Sequence, residues 1–337
     1  MRNENVDILR FIGLAMIILA HIGPPDWLFQ LRNFDVPLMV LISGVSYSLA
    51  HKNESYAAYL WKRVKRLLFP VWFFLTAYFF LMSVTGYPKP LPHLGTIATS
   101  YTLISGIGYV WVIRVFLMVA LLAPFLHRFT SRVNSNRHYY ISLALIYFSY
   151  EFLLYLTKPY LESVAGQLIL QTFFYFIPYS IIFTMGLKFS ELSKKQVITI
   201  AVVSFLIFSI FAGRLFEQTG KFNQTQLFKY PPSLYYLTYA LTVSSVLWLM
   251  AEKIVKISRW LQIIKPILFV AQNSIWVYLW HIPLIEIVQL PYYLKYPMVF
   301  VGAAVIAKAQ VYLVRNLLIP KVSNIEIRKD LNMLFTG

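Results

Sequence analysis

Three residues near the start of the chain carry the chemistry that is easiest to read. Asp7, Arg10 and His21 lie in the segment ENVDILRFIGLAMIILAH, which is otherwise almost entirely apolar. Eleven residues at about 100° each return nearly to the same helix face, roughly 16 Å further along the axis. Arg10 and His21 therefore share one stripe, at opposite ends of a membrane-length helix. Asp7 stands one turn before Arg10 and can pair with it. An imidazole can take a proton from a hydroxyl at neutral pH when a neighbour orients it. Asp35 is the nearest acidic candidate for that task by sequence and depth. Alone, the arginine reads as an anchor and the histidine as an interfacial residue. Together on one face of an apolar helix they read as a site.

Charged groups are costly in a bilayer and usually face a protein interior or a wet cavity. The remaining polar residues sort into two depth layers. On the outer side, with His21 and Asp35, lie Arg114, Glu151 and His281. Arg114 and Glu151 sit at matching depths, which predicts a buried ion pair of structural character. On the cytoplasmic side, with Arg10, lie Arg315 and the run Trp61-Lys62-Arg63-Val64-Lys65-Arg66. Such a run is most often a positive flank against anionic lipid. It also suits a phosphorylated cytoplasmic ligand, because guanidinium forks match phosphate. A Gly-rich phosphate loop, HExxH, a paired acidic metal motif and a GxSxG elbow are all missing, so neither a metal nor a serine hydrolase is expected. Cysteine is absent, which excludes thiol catalysis, disulfides and zinc–thiolate sites.

The elements that position these residues follow from composition. The 337 residues are 59% hydrophobic and only 13% charged, with 30 Lys+Arg against 13 Asp+Glu and a formal net charge of +17. A soluble domain holds about a quarter charged residues. Mean hydropathy is +0.64, and apolar runs extend from end to end. That excludes a soluble protein and a basic nucleic-acid binder alike. A span needs roughly 20 apolar residues, and ten segments qualify: about 5–23, 34–50, 67–85, 108–126, 139–157, 168–187, 196–213, 233–251, 266–288 and 297–318. Strand alternation is missing from them, which argues against a β-barrel. The first is not a cleaved signal peptide, since Asp7 and Arg10 interrupt it and no small-residue cleavage site follows. Alternate loops and ends hold 19 basic residues on one side and 7 on the other. By the positive-inside rule both termini are cytoplasmic. The expected class is an all-α polytopic integral membrane protein of about ten transmembrane helices. It would form one transmembrane domain over 1–320 and a short cytoplasmic tail over 321–337.

Several blocks carry a further resemblance. They are Arg10-x10-His21 in LRFIGLAMIILAH, FDVPLMVLISGVSYS at 34–48, and Arg63-Val64-Lys65-Arg66 followed by Leu-Leu-Phe-Pro70. Tyr109-Val110-Trp111, YPPSLYY at 230–236 and NSIWVYLWH at 273–281 come next. Together and in this order they resemble the membrane acyltransferase-3 family, whose members O-acylate bacterial surface polysaccharides and other extracytoplasmic acceptors. Two departures stand out. Met39-Val40-Leu41 replaces the Phe runs of many relatives, and the periplasmic hydrolase-like domain that some relatives append is not expected after the last helix.

The resemblance implies a multi-pass protein of the cell membrane, surrounded by lipid. Cytoplasmic acyl-CoA, most often acetyl-CoA, would be the donor, and an extracytoplasmic glycan hydroxyl the acceptor. Arg63, Arg66 and Arg10 would hold the donor's phosphates. His21 would be general base or transient acyl carrier, with Arg10 and Asp35 as its catalytic companions. Arg114, Glu151 and His281 remain further intramembrane candidates. A transporter of glycan or lipid-linked intermediates is the alternative. Transporters often carry internal repeats with broken helices at matching positions; here the Arg10–His21 stripe has no counterpart in the second half, and Pro178 and Pro283 lack mates.

Overall fold

A computed structural model describes residues 3–50, 54–104 and 106–336. Two of the basic residues counted above, Arg2 and Lys52, lie outside these described residues. Among them the secondary structure is helical, with one isolated bridge between Lys229 and Pro232 and no strand. The chain divides into two compact units. The first comprises Met1–Gly13, Asp26–Asn53 and Met118–Leu261; the second comprises Leu14–Pro25, Glu54–Leu117 and Gln262–Gly337. Helix α1 (Glu4–His21) is continuous. It contributes Arg10 to the first unit and His21 to the second.

The first unit is built on α2 (Asp26–Leu31) and α3 (Asp35–Ala50). The second unit then takes α4 (Tyr56–Thr85), α5 (Leu94–Tyr101) and the start of α6 (Trp111–Arg132). Back in the first unit come α7 (Asn136–Thr157), α8 (Val164–Ile169), α9 (Tyr175–Phe189), α10 (Lys194–Thr219) and α11 (Leu234–Trp260). The second unit closes with α12 (Ile264–Gln272), α13 (Ser274–Ile287), α14 (Tyr292–Leu313) and α15 (Ile325–Thr336).

Within the first unit, α3 packs along α9 and α10 along α11. Apolar side chains gain little by leaving lipid for protein, so helices associate in a bilayer through close backbone approach at small residues. Gly44 and Gly186 supply it. A Cβ on Gly44 would overlap the Phe183 carbonyl, and one on Gly186 would overlap that of Leu41. α7 and α10 have only 17% of their apolar windows buried, so most of their surface suits lipid. Local signals set the ends of α10. Ser193 and Gln196 form a capping box, and Gly220 leaves the helix at φ 69°.

In the second unit α13 packs on α14 and α4. Trp276 Nε1 donates to the Leu334 carbonyl at 2.8 Å and Trp280 Nε1 to Gln310 Oε1 at 2.7 Å. The segment expected as a plain tail thus ends in a helix, α15, docked against α13 and α4.

Among the described residues eight helices are long and apolar enough to cross a membrane, or nine if the bent pair α12–α13 is one crossing. Two expectations shift. The span expected at 266–288 bends by 88° between α12 and α13. Asn273 makes the break: its side-chain amide donates to the Phe269 carbonyl at 2.7 Å, competing with helix continuation. The expected first span, α1, is only 18 residues long and places three charged residues, Glu4, Asp7 and Arg10, in that length, so it is not among the eight.

Candidate active site

His21 ends α1, and its surroundings in the second unit are aromatic. Its Nδ1 lies 2.8 Å from His281 Nε2. The two imidazoles meet edge to edge, with centroids 5.1 Å apart and planes 18° from parallel. Tyr109 presents its edge to His21 at 4.9 Å, and the Tyr278 ring lies 4.8 Å from that of His281. His281 is fully buried, two turns beyond the break at Asn273, and its Nδ1 contacts the carbonyl of Tyr278 on the turn before it. The Tyr278 hydroxyl donates to the Tyr109 carbonyl, which fastens the segment before α6 to α13. Burial, with Glu286 adding to it, raises the Tyr109 phenol above its usual range, so it stays protonated.

Arg10 and Asp7 make the expected pair, Nη1 to Oδ1 at 2.7 Å. Arg10 Nη2 also donates to Ser46 Oγ of α3 at 2.8 Å. Asp35, expected to orient His21, is engaged within the first unit. Its Oδ2 takes Arg32 Nη1 at 2.7 Å, and its Oδ1 takes the Val36 N–H at 2.7 Å with Lys229 Nζ at 3.5 Å. Arg32, Asp35 and Lys229 are each at most 3% exposed. Around them Arg32 reaches Gln226 Oε1, Asn33 bonds Thr225, and the Thr225 N–H donates to Gln30. This network ties the α2–α3 corner to the segment before α11. Burial pulls the Lys229 ammonium down to about 8 against the opposing pull of Asp35.

Arg114 and Glu151, expected to pair, fall in the second and the first unit respectively, and each has partners within its own unit. Arg114 Nη1 donates to the Ile104 carbonyl at 3.2 Å. Glu151 Oε1 accepts from the Tyr147 hydroxyl at 2.9 Å and from the Leu234 N–H at 2.7 Å. Leu234 opens α11, so the carboxylate satisfies one of the N–H groups that a helix start leaves without an internal partner.

Arg63 and Arg66, expected in a loop, stand on the first turns of α4. Their i, i+3 spacing puts them on one face. The lysines of the run are taken by acids, Lys62 by Glu54 and Lys65 by Asp330 of α15 at 2.6 Å. The Arg63 guanidinium lies 5.0 Å from the Tyr59 ring centre, and Arg66 is exposed.

The sequence profile of an acyltransferase domain matches residues 3–314, nearly the whole chain. The protein belongs to the acyltransferase-3 family. No curated protein and no solved structure matches it. This acyltransferase is a multi-pass membrane protein, and it transfers acyl groups other than amino-acyl groups.

A histidine held by a second histidine can accept a proton in a fixed orientation. Two imidazoles this close also resemble half of a metal site, but among the described residues no third His, Asp or Glu joins them. Sequence reasoning placed His281 only as an unassigned polar residue and overlooked Arg32 and Lys229. Arg32 had a readable signal, since it precedes Asp35 by three residues. Lys229, 194 residues from its carboxylate, had none.

Proposed function

We propose that this acyltransferase moves an acyl group, acetyl in the first instance, from cytoplasmic acyl-CoA to a hydroxyl of an extracytoplasmic glycan. The observation that carries the reading is the hydrogen-bonded His21–His281 pair in a chain that belongs to an acyltransferase family. His21 acts as general base. It takes the acceptor's O–H proton while the hydroxyl oxygen attacks the thioester carbonyl. The C–O bond forms, the C–S bond breaks, and the departing thiolate recovers the proton from the imidazolium. No net proton is gained or lost.

On the donor side, Arg63 and Arg66 bind the phosphates. Their guanidinium forks match phosphate, while Lys62 and Lys65 of the same run pair with acids. Arg10, oriented by Asp7 and Ser46, adds positive charge on that side of α1. Asp35, with Arg32 and Lys229, holds the α2–α3 corner. In this reading α1 crosses the bilayer, giving ten crossings with both termini cytoplasmic in the plasma membrane. The support is the excess of basic residues on alternate loops.

The test is purified protein in liposomes, given labelled acetyl-CoA on one face and an oligosaccharide on the other. Ester on the oligosaccharide is the expected result. Passage of unmodified oligosaccharide without ester overturns the reading in favour of export.

A further inference from the structure

His281 is fully buried, and it could be read as a core histidine with its hydrogen bonds satisfied. The identity of those bonds says more. Its Nδ1 faces the carbonyl oxygen of Tyr278. A carbonyl only accepts, so His281 Nδ1 carries the hydrogen. In a neutral imidazole the other nitrogen is then a lone pair, and that nitrogen, Nε2, lies 2.8 Å from His21 Nδ1. Two lone pairs cannot bond, so His21 Nδ1 is the donor. It follows that the neutral His21 ring carries its lone pair on Nε2.

Resting on the reading of His21 as general base, we propose that His281 is a positioning residue. It fixes His21 in the tautomer whose Nε2 accepts the hydroxyl proton, and the Tyr278 carbonyl fixes His281 in turn. Which imidazole nitrogen is protonated is set by the hydrogen bond the other one makes. A buried carboxylate performs the same task in serine hydrolases; here a neutral ring does it, with a backbone carbonyl behind it. The consequences differ. When His21 gains a proton at Nε2, its Nδ1–H bond to His281 becomes charge-assisted and shortens. The Tyr278 carbonyl cannot take a proton onward, so the chain ends there and the proton stays available to the leaving thiolate. The in-plane hydrogen bond to His281 and the edge-on contact with Tyr109 hold the His21 ring against rotation that would exchange the two nitrogens.

The experiment uses the full-length protein in detergent, with ¹⁵N-labelled histidine and steady-state acyl transfer from acetyl-CoA. In the wild type, His21 should show a protonated Nδ1 and an unprotonated Nε2 by nitrogen chemical shift; the reverse tautomer overturns the proposal. H281F, which fills the space without an acceptor, should lower kcat by about 10²- to 10⁴-fold with KM for acetyl-CoA unchanged. H281Q, whose amide oxygen can stand near the position of Nε2, should recover activity to within about tenfold of wild type. An H281F protein with wild-type kcat, or an H281Q protein as impaired as H281F, overturns the positioning role. Where either variant fails to fold, the wild-type nitrogen shifts decide alone. Activity in H21A would instead sink the general-base reading, and leaves the tautomer measurement standing as its own test.

Discussion

The two units solve the same problem in opposite ways. Each must keep polar side chains inside an apolar protein. In the first unit Arg32, Asp35 and Lys229 are held as a cluster of full charges at most 3% exposed. In the second, His21 and His281 are two rings that can stay neutral and share one hydrogen bond. Buried ions cost several kcal/mol each to desolvate and remain only when each is compensated. Such a cluster is committed to its own partners. A neutral imidazole pair carries no such debt and can accept a proton, hold it and return it. The charged network therefore suits a corner that must not move, and the imidazole pair suits chemistry.

That contrast breaks down or sharpens under four substitutions. The largest effect belongs to His21→Ala, which should reduce acyl transfer by at least about 10²-fold while thermal unfolding and membrane insertion stay as in wild type. A comparable loss of stability instead would place His21 with the structural cluster. Next comes Asp35→Asn. It leaves two buried cations without their carboxylate and should cost about 3–5 kcal/mol, read as a fall in Tm. The kcat of the protein that remains folded should stay within about tenfold of wild type, and a kcat loss as deep as that of His21→Ala would return Asp35 to the catalytic centre.

Arg63→Ala comes third. Losing a charge-assisted contact to phosphate is worth about 1.5–3 kcal/mol, so the Kd for acetyl-CoA should rise roughly ten- to hundredfold. Unchanged affinity in a binding measurement would remove the start of α4 from the donor site.

Lys229→Met is the smallest and the most diagnostic of sign. The folded pKa of Lys229, about 8, lies below its ordinary 10.5. Between those values the unfolded chain binds more protons than the folded one, so this group makes stability rise with pH through the window. Below pH 8 its buried charge is a net cost. The variant should therefore match or exceed wild-type Tm at pH 7, and the advantage should shrink as pH rises from 8 towards 10. An advantage that grows with pH would mean the ammonium is stabilised by its site.

Much of the architecture was readable from local pattern. The Asp7–Arg10 pair follows from three-residue spacing on a helix, and it forms at 2.7 Å. The apolar runs at 34–50, 139–157 and 196–213 coincide with α3, α7 and α10, because a span long enough for a bilayer leaves little choice but helix. The basic run at 61–66 looked like a loop because charge lowers hydropathy. It is helical because Ser55 caps α4 one turn earlier, accepting from the Ala58 N–H. The bend at Asn273 was hidden for a related reason: a polar residue between two apolar runs of similar character leaves the hydropathy profile unbroken.

The sequence by itself determined that helices of this chain cross a membrane, that Arg10 and His21 share a face of α1, and that its motifs run in the order of an acyltransferase. Only the tertiary structure decided what each polar group meets. His21 and His281 are 260 residues apart and Asp35 and Lys229 are 194 apart. Nothing in helical periodicity relates such positions. Their contact depends on which helices pack together and on an 88° bend that turns His281 to its place, and those are properties of the packed chain.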